Sequence, residues 1–107
     1  MAEKSIIEII KRYFSVLNEE GIHPCRGILF GSYARNDANE WSDIDIIIVA
    51  PEFDYNKSEE IINTLWRSTI TADNRIEPIP CGEKEWINNE SRPILEIARN
   101  EGIEISA

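Results

Sequence analysis

The sequence predicts an α+β domain of two layers, a small mixed β-sheet packed against helices. Three observations carry that prediction. Residues 43–49, DIDIIIV, leave almost no polar face, the pattern of a strand covered on both sides. Residues 3–20 repeat apolar side chains at Ile6, Ile9, Ile10, Tyr13, Phe14 and Leu17, the spacing of one helical face. Helices and strands then interleave in the order helix, strand, strand, helix, strand, helix, strand, which suits a mixed sheet with helices against it.

Each element has its own signal. Gly21 follows the first helix as a C-terminal stop. Residues 26–30, RGILF, read as a short strand ending at Gly31-Ser32. Residues 33–36 read as one helical turn, and residues 37–42 as a polar loop. The strand over 43–49 ends at Ala50-Pro51. Residues 58–70 predict a second helix, capped by Ser58, with Ile61, Ile62, Leu65, Trp66 and Ile70 as its inner stripe. Residues 75–79, RIEPI, predict a strand in which Pro78 removes a backbone donor, so it lies at an edge or is distorted. Residues 91–101 predict a last helix with Ile94, Leu95, Ile97 and Ala98; Gly102 stops it and Ile103–Ile105 adds a short strand.

The 107 residues fit one domain, 1–107. No apolar run approaches the length that spans a bilayer. The mixed-charge start, MAEKSIIEIIKRYF, lacks the pattern of a secretory signal, so the expected location is cytoplasmic and no membrane partner is expected. The formal net charge is −9. A long nucleic-acid partner would need clustered Lys and Arg, and only scattered ones such as Lys11-Arg12 occur, so none is expected. Cys25 and Cys81 fit no metal-finger spacing and read as small apolar fillers. His23, the single histidine, has no nearby Ser or Cys and reads as structural or solvated. The apolar stripes of the first and last helices could bury against the sheet or against another chain, which leaves an oligomer open.

The chemistry concentrates in residues 31–49, GSYARNDANEWSDIDIIIV. Side chains alternate along a strand, so Asp43 and Asp45 project from one face. Two carboxylates that close repel each other, and one is driven to hold a proton unless a cation neutralises both. A divalent ion resolves the conflict. Oxygen ligands favour Mg²⁺ or Mn²⁺, and no Cys or His cluster competes. Gly31 lets backbone approach a ligand. Ser32 opens a helical turn whose free N–H groups can face an anion, and Arg35 can hold a phosphate or carboxylate bidentately, or pair instead with Asp37 or Glu40. Alone, an Asp-x-Asp is as readily a solvated strand end as a ligand pair; its conjunction with the glycine-serine turn is far more specific. Tyr33 and Trp41 flank the site, as base-stacking groups or as packing and loop anchors. Trp66 reads as core or interface, and Trp86 has no assigned role.

The stretch LFGSYARNDANEWSDIDIIIV closely resembles the signature of the minimal nucleotidyltransferases, a branch of the DNA polymerase β-like superfamily. Leu29, Phe30, Gly31, Ser32, Ala34, Arg35, Ser42, Asp43, Ile44 and Asp45 match the motif position by position. Asn36 replaces the usual glycine, and Asn is the next most tolerant of a left-handed backbone. The resemblance implies the two-layer nucleotidyltransferase fold. It also implies ATP or another nucleoside triphosphate as donor, Mg²⁺ as cofactor, and transfer of a nucleotidyl group, AMP in the case of ATP, to a hydroxyl on a small or protein acceptor. It makes Asp43 and Asp45 metal ligands and calls for a third carboxylate on the neighbouring strand. Glu77 in RIEPI is the well-placed candidate, as ligand or as general base. A different class of function is the antitoxin half of a toxin–antitoxin pair, with a helical HEPN-type partner neutralised by adenylylation or by binding alone. A third is a degenerate fold that binds nucleotide without catalysis.

Overall fold

The computed structural model describes residues 3–88 and 92–107. In chain order the elements are α1 (Lys4–Glu19), β1 (Arg26–Phe30), α2 (Ser32–Arg35), β2 (Ile44–Val49), α3 (Glu52–Tyr55), α4 (Glu59–Ala72), β3 (Ile76–Cys81), α5 (Glu83–Ile87), α6 (Pro93–Glu101) and β4 (Ile103–Ser106). The four strands form one sheet in the order β3-β2-β1-β4. The pairs β1–β2 and β1–β4 are antiparallel, and β2–β3 is parallel. A parallel neighbour needs a crossover connection, and α4 supplies it.

The isoleucine run of β2 divides between two cores because successive side chains point to opposite faces. Ile44, Ile46 and Ile48 join α1 and α4 in the larger core, with Ile10, Tyr13, Phe14, Leu17 and Leu65. Ile47 and Val49 face a smaller cluster with Ile28, Phe30, Cys81, Leu95 and Ala98. Both faces of β2 are therefore covered, as its unbroken apolar pattern predicts. Within the larger core the Tyr13 hydroxyl donates to Leu65 O at 2.7 Å, tying α1 to α4.

The stop signals behave as expected. Gly21 is left-handed at φ +89°, and the Ser58 hydroxyl accepts from Ile61 N at 3.5 Å. β3 carries Pro78 and Pro80 and lies at the sheet edge, where a missing donor is tolerated.

Several boundaries and faces differ. The buried face of α4 is Leu65, Ser68 and Thr69, with Ile61 packed against the larger core as expected, while Trp66 is 46% and Ile70 77% exposed. The two hydroxyl residues bury because each closes a bond on its own helix: Ser68 Oγ to Thr64 O at 2.8 Å and Thr69 Oγ1 to Trp66 O at 2.7 Å. Satisfied in this way, they pack as small apolar groups. The last helix begins at Pro93; residue 91, where the sequence places its start, lies outside the described residues. α3 and α5 are additional short helices. α5 gives Trp86 its place: the ring sits in the smaller core, the Arg99 guanidinium stacks 4.5 Å from its centroid, and Arg99 Nη2 donates to Trp86 O at 2.7 Å.

Candidate active site

One end of the sheet gathers the acids. β1 finishes there, and β2 and β3 begin there, because β2 runs antiparallel to β1 and parallel to β3. The register sets Asp45 level with Glu77 on one side and with Phe30 on the other. Level residues on paired strands share a face at a separation of about 5 Å. Ile44 and Ile76 turn into the larger core, which leaves Asp45 and Glu77 on the opposite face. Asp43 lies one residue before the strand and is exposed, as is Glu77, whereas Asp45 is half-buried.

Their electrostatics follow from that crowding. Burial pushes the Asp45 carboxyl above its ordinary value; Asp43 adds to the rise, and Arg35 opposes it. Burial also raises Glu77, and Asp43, through its charge and a hydrogen bond, and Asp45 raise it further. Among the described residues none of these three acids has a salt bridge. Nor is any group of three or more His, Cys, Asp or Glu side chains among them already arranged to hold a metal ion. The chemistry of the set nonetheless suits a hard divalent cation. All the donors are oxygens, and each carboxylate raises the free energy of its neighbours until positive charge enters.

The turn beside them is built from two special backbone positions. Gly31 has φ 73° and ψ −151°, a region open in practice to glycine alone. A Cβ there would collide with Asp45 Oδ2, so the carboxylate lies against the bare glycine. Asn36 closes α2 at φ 63° and ψ 32°, the left-handed geometry expected of the residue that stands in for glycine. Among the described residues the backbone N–H groups of Ser32 and Tyr33 have no protein acceptor. Arg35 bonds Asp37 Oδ2 at 3.3 Å, one of the two acids anticipated for it, and Glu101 Oε1 at 3.3 Å. Gly31 N donates to the same Glu101 oxygen at 3.0 Å.

The loop between α2 and β2 is braced from within. Trp41 N donates to Asn39 Oδ1 at 2.8 Å, and Asn39 N to Ser42 Oγ at 3.0 Å. Tyr33 is a loop anchor: its hydroxyl donates to Asn39 O at 3.2 Å and accepts from Arg75 Nη1 at 3.1 Å. Trp41 itself, two residues before Asp43, stands 84% exposed. His23 lies at the other end of β1, with Nδ1 2.9 Å from Glu52 Oε2. A groove of about 540 Å³ between α3 and α5, lined by Asp54, Tyr55, Lys57 and Lys84 among others, takes in none of the clustered acids.

The sequence therefore locates Gly31, Ser32, Arg35, Asp43, Asp45 and Glu77 at one end of the sheet, and the fold brings them together. It gives no sign of Glu101, which reaches the turn from 70 residues away. No motif marks it, because its place is set by the pairing of β4 with β1.

Comparison with known proteins agrees with this geometry. The nucleotidyltransferase domain family matches residues 4–96. "Putative protein adenylyltransferase MJ0141" of Methanocaldococcus jannaschii is 40% identical over 78 residues, covering 69% of this chain and 77% of that protein. A second protein of that organism with the same description, MJ0435, is 43% identical over 54 residues, covering 50% of this chain and 53% of its own. No helix among the described residues is long and apolar enough to cross a membrane. With a match over most of its length and the acids and glycine turn gathered at one sheet end, the chain belongs to the nucleotidyltransferase domain family.

Proposed function

We propose that this nucleotidyltransferase moves AMP from ATP to a hydroxyl group on a protein acceptor, with Mg²⁺ or Mn²⁺ as cofactor. The observation that carries the reading is the level placement of Asp45 and Glu77 on adjacent strands, with Asp43 close by and, among the described residues, no basic side chain in a salt bridge with any of them. Asp43, Asp45 and Glu77 would hold the cation. When bound, it supplies positive charge that neutralises phosphate oxygens and makes the α-phosphorus easier to attack.

The remaining work belongs to the chain. The N–H groups at Ser32 and Tyr33 and the Arg35 guanidinium orient the phosphates. The acceptor oxygen bonds to the α-phosphorus as the bond to the bridging α–β oxygen breaks, and pyrophosphate leaves with that electron pair. Glu77, level with Asp45 on the neighbouring strand, receives the hydroxyl proton as general base. No side chain of the enzyme need act as nucleophile. A protein acceptor is favoured because the matched relatives are described as protein adenylyltransferases. An acceptor of the HEPN type would make the same chemistry that of an antitoxin.

The test uses ATP labelled at either the α or the γ phosphorus, with Mg²⁺ and candidate helical partner proteins. The expected result is α label on the acceptor with release of pyrophosphate. Label arriving from the γ position, or neutralisation of the partner with no label at all, would overturn it.

A further inference from the structure

The anion-binding corner of this protein already holds an anion of its own. Gly31 N and Arg35 Nη1 both donate to Glu101 Oε1, at 3.0 and 3.3 Å. Two donors converging on one carboxylate oxygen reproduce the way backbone amide and guanidinium groups grip a phosphate oxygen. Glu101 is the last residue of α6, with a side chain 27% exposed.

The contact is built into the fold. β4 pairs with β1 so that Ile103 lies opposite Leu29, which brings the end of α6, two residues before Ile103, beside the turn two residues after Leu29. Gly102 makes the approach possible: its N–H bonds Ala98 O at 2.7 Å, and a Cβ there would strike both Ala98 O and the Ile28 side chain. The glycine thus lets α6 end hard against β1, which delivers the Glu101 carboxylate to the turn.

We infer that Glu101 is an internal competitor for the nucleotide's phosphates, displaced from Gly31 N–H and Arg35 when the triphosphate binds, and that it thereby sets nucleotide affinity. The inference rests on the nucleotide-binding reading above. Displacement is feasible because the competitor is one partly exposed side chain on a helix end, paired with a half-exposed guanidinium, and ion pairs open to solvent contribute little. It is selective because the competitor is a single carboxylate, whereas a triphosphate offers several oxygens and more charge. A lone monovalent anion gains no such advantage.

The experiment measures dissociation constants by calorimetry on the full chain, using α,β-methylene-ATP with Mg²⁺ and, separately, inorganic tripolyphosphate. Wild type is compared with Glu101→Gln and Glu101→Ala, each checked for folding by circular dichroism. Glu101→Gln keeps an acceptor but loses the charge, and Glu101→Ala removes both. We expect both probes to bind roughly five- to tenfold more tightly to the variants, with Ala at least equal to Gln. Tripolyphosphate carries no base or ribose, so a shared gain locates the competition at the phosphates. Unchanged or weaker binding in the variants, with wild type still binding nucleotide, would overturn the competitor and leave the nucleotide reading standing; Glu101 would then be a positioning residue for Arg35. Failure of wild type and both variants to bind either probe would overturn the nucleotide reading and the competitor with it.

Discussion

Two sets of acids stand at the same end of the sheet and are treated in opposite ways. Asp73, in the turn that leads into β3, is gripped by Arg75: Nη2 to Oδ2 at 2.8 Å and Nε to Oδ1 at 3.1 Å, with Arg75 N donating to Oδ1 at 2.9 Å. Those hydrogen bonds hold its carboxyl below the ordinary value. Four residues along the chain, Glu77 is pushed the other way by burial, Asp43 and Asp45. This chain neutralises a carboxylate with a guanidinium where the carboxylate serves the fold. Among the described residues it leaves Asp43, Asp45 and Glu77 without such a partner, the conflict that the proposed cation would relieve.

The comparison breaks most sharply if the unpaired acids prove dispensable. Asp43→Asn and Asp45→Asn, made singly, should each lower AMP transfer at least about a hundredfold. Their thermal stability should match or exceed wild type, since each change removes like-charge repulsion. Transfer measured with α-labelled ATP, beside a melting curve, checks both halves. Transfer undiminished in both variants would remove these carboxylates from the chemistry.

Gly31→Ala tests the wall against which Asp45 rests. The new methyl group meets Asp45 Oδ2, and φ 73° disfavours any side chain. A loss of about 1–3 kcal/mol in denaturant unfolding is expected, together with lost transfer. The parallel change Gly21→Ala shares the positive φ but meets nothing within 4 Å. It should cost less stability and leave transfer intact.

A third measurement sets the two sets of acids against each other through pH. Asp45 and Glu77 have folded values above their ordinary 3.8 and 4.5. Across the window between ordinary and raised values the folded state binds the extra proton. Their contribution to stability is therefore present at low pH and falls as pH rises through that window. Asp73 has the opposite sign. Its contribution is present above its ordinary 3.8 and is lost as pH falls toward its lowered folded value. Glu77→Gln should flatten the decline on the rising side. At pH 7, Mg²⁺ should raise the melting temperature of wild type by a few degrees and leave Asp45→Asn unmoved. An equal rise in both would place the cation elsewhere.

Much of this site is legible in the sequence because its rules are local. Strand alternation puts Asp43 and Asp45 on one face, and the unbroken apolar run of β2 says both faces are covered. The backbone at residues 31 and 36 demands residues that tolerate left-handed or otherwise forbidden angles, and Gly and Asn stand there. What the sequence hides depends on pairing at a distance. Only the family resemblance points to Glu77, which meets Asp45 through the parallel β2–β3 register, and nothing points to Glu101, which the pairing of β4 with β1 carries to Gly31. Neither register has a signal within a few residues of the acid it places. The inner face of α4 is hidden for another reason. Ser68 and Thr69 look polar until their hydroxyls are seen to bond their own helix, and Trp66 and Ile70 look like core until that face is taken.

The smallest expected effect comes from the paired acid. Asp73→Ala removes two bonds to the Arg75 guanidinium and one to Arg75 N, and frees a side chain whose Nη1 also reaches the Tyr33 hydroxyl. The Arg75 side chain is about one-third exposed, so water replaces much of what is lost, and the cost at pH 7 should be about 1 kcal/mol. Because the bonds need an ionised Asp73, the gap between variant and wild type should close as pH falls through the lowered value. Tyr33 holds Asn39 O, so a loosened Arg75 passes some freedom to the loop before Asp43, and transfer should drop only a few-fold. A collapse of transfer as deep as that of Asp45→Asn would mean that Asp73 belongs with the unpaired acids, and the division between the two sets would fail.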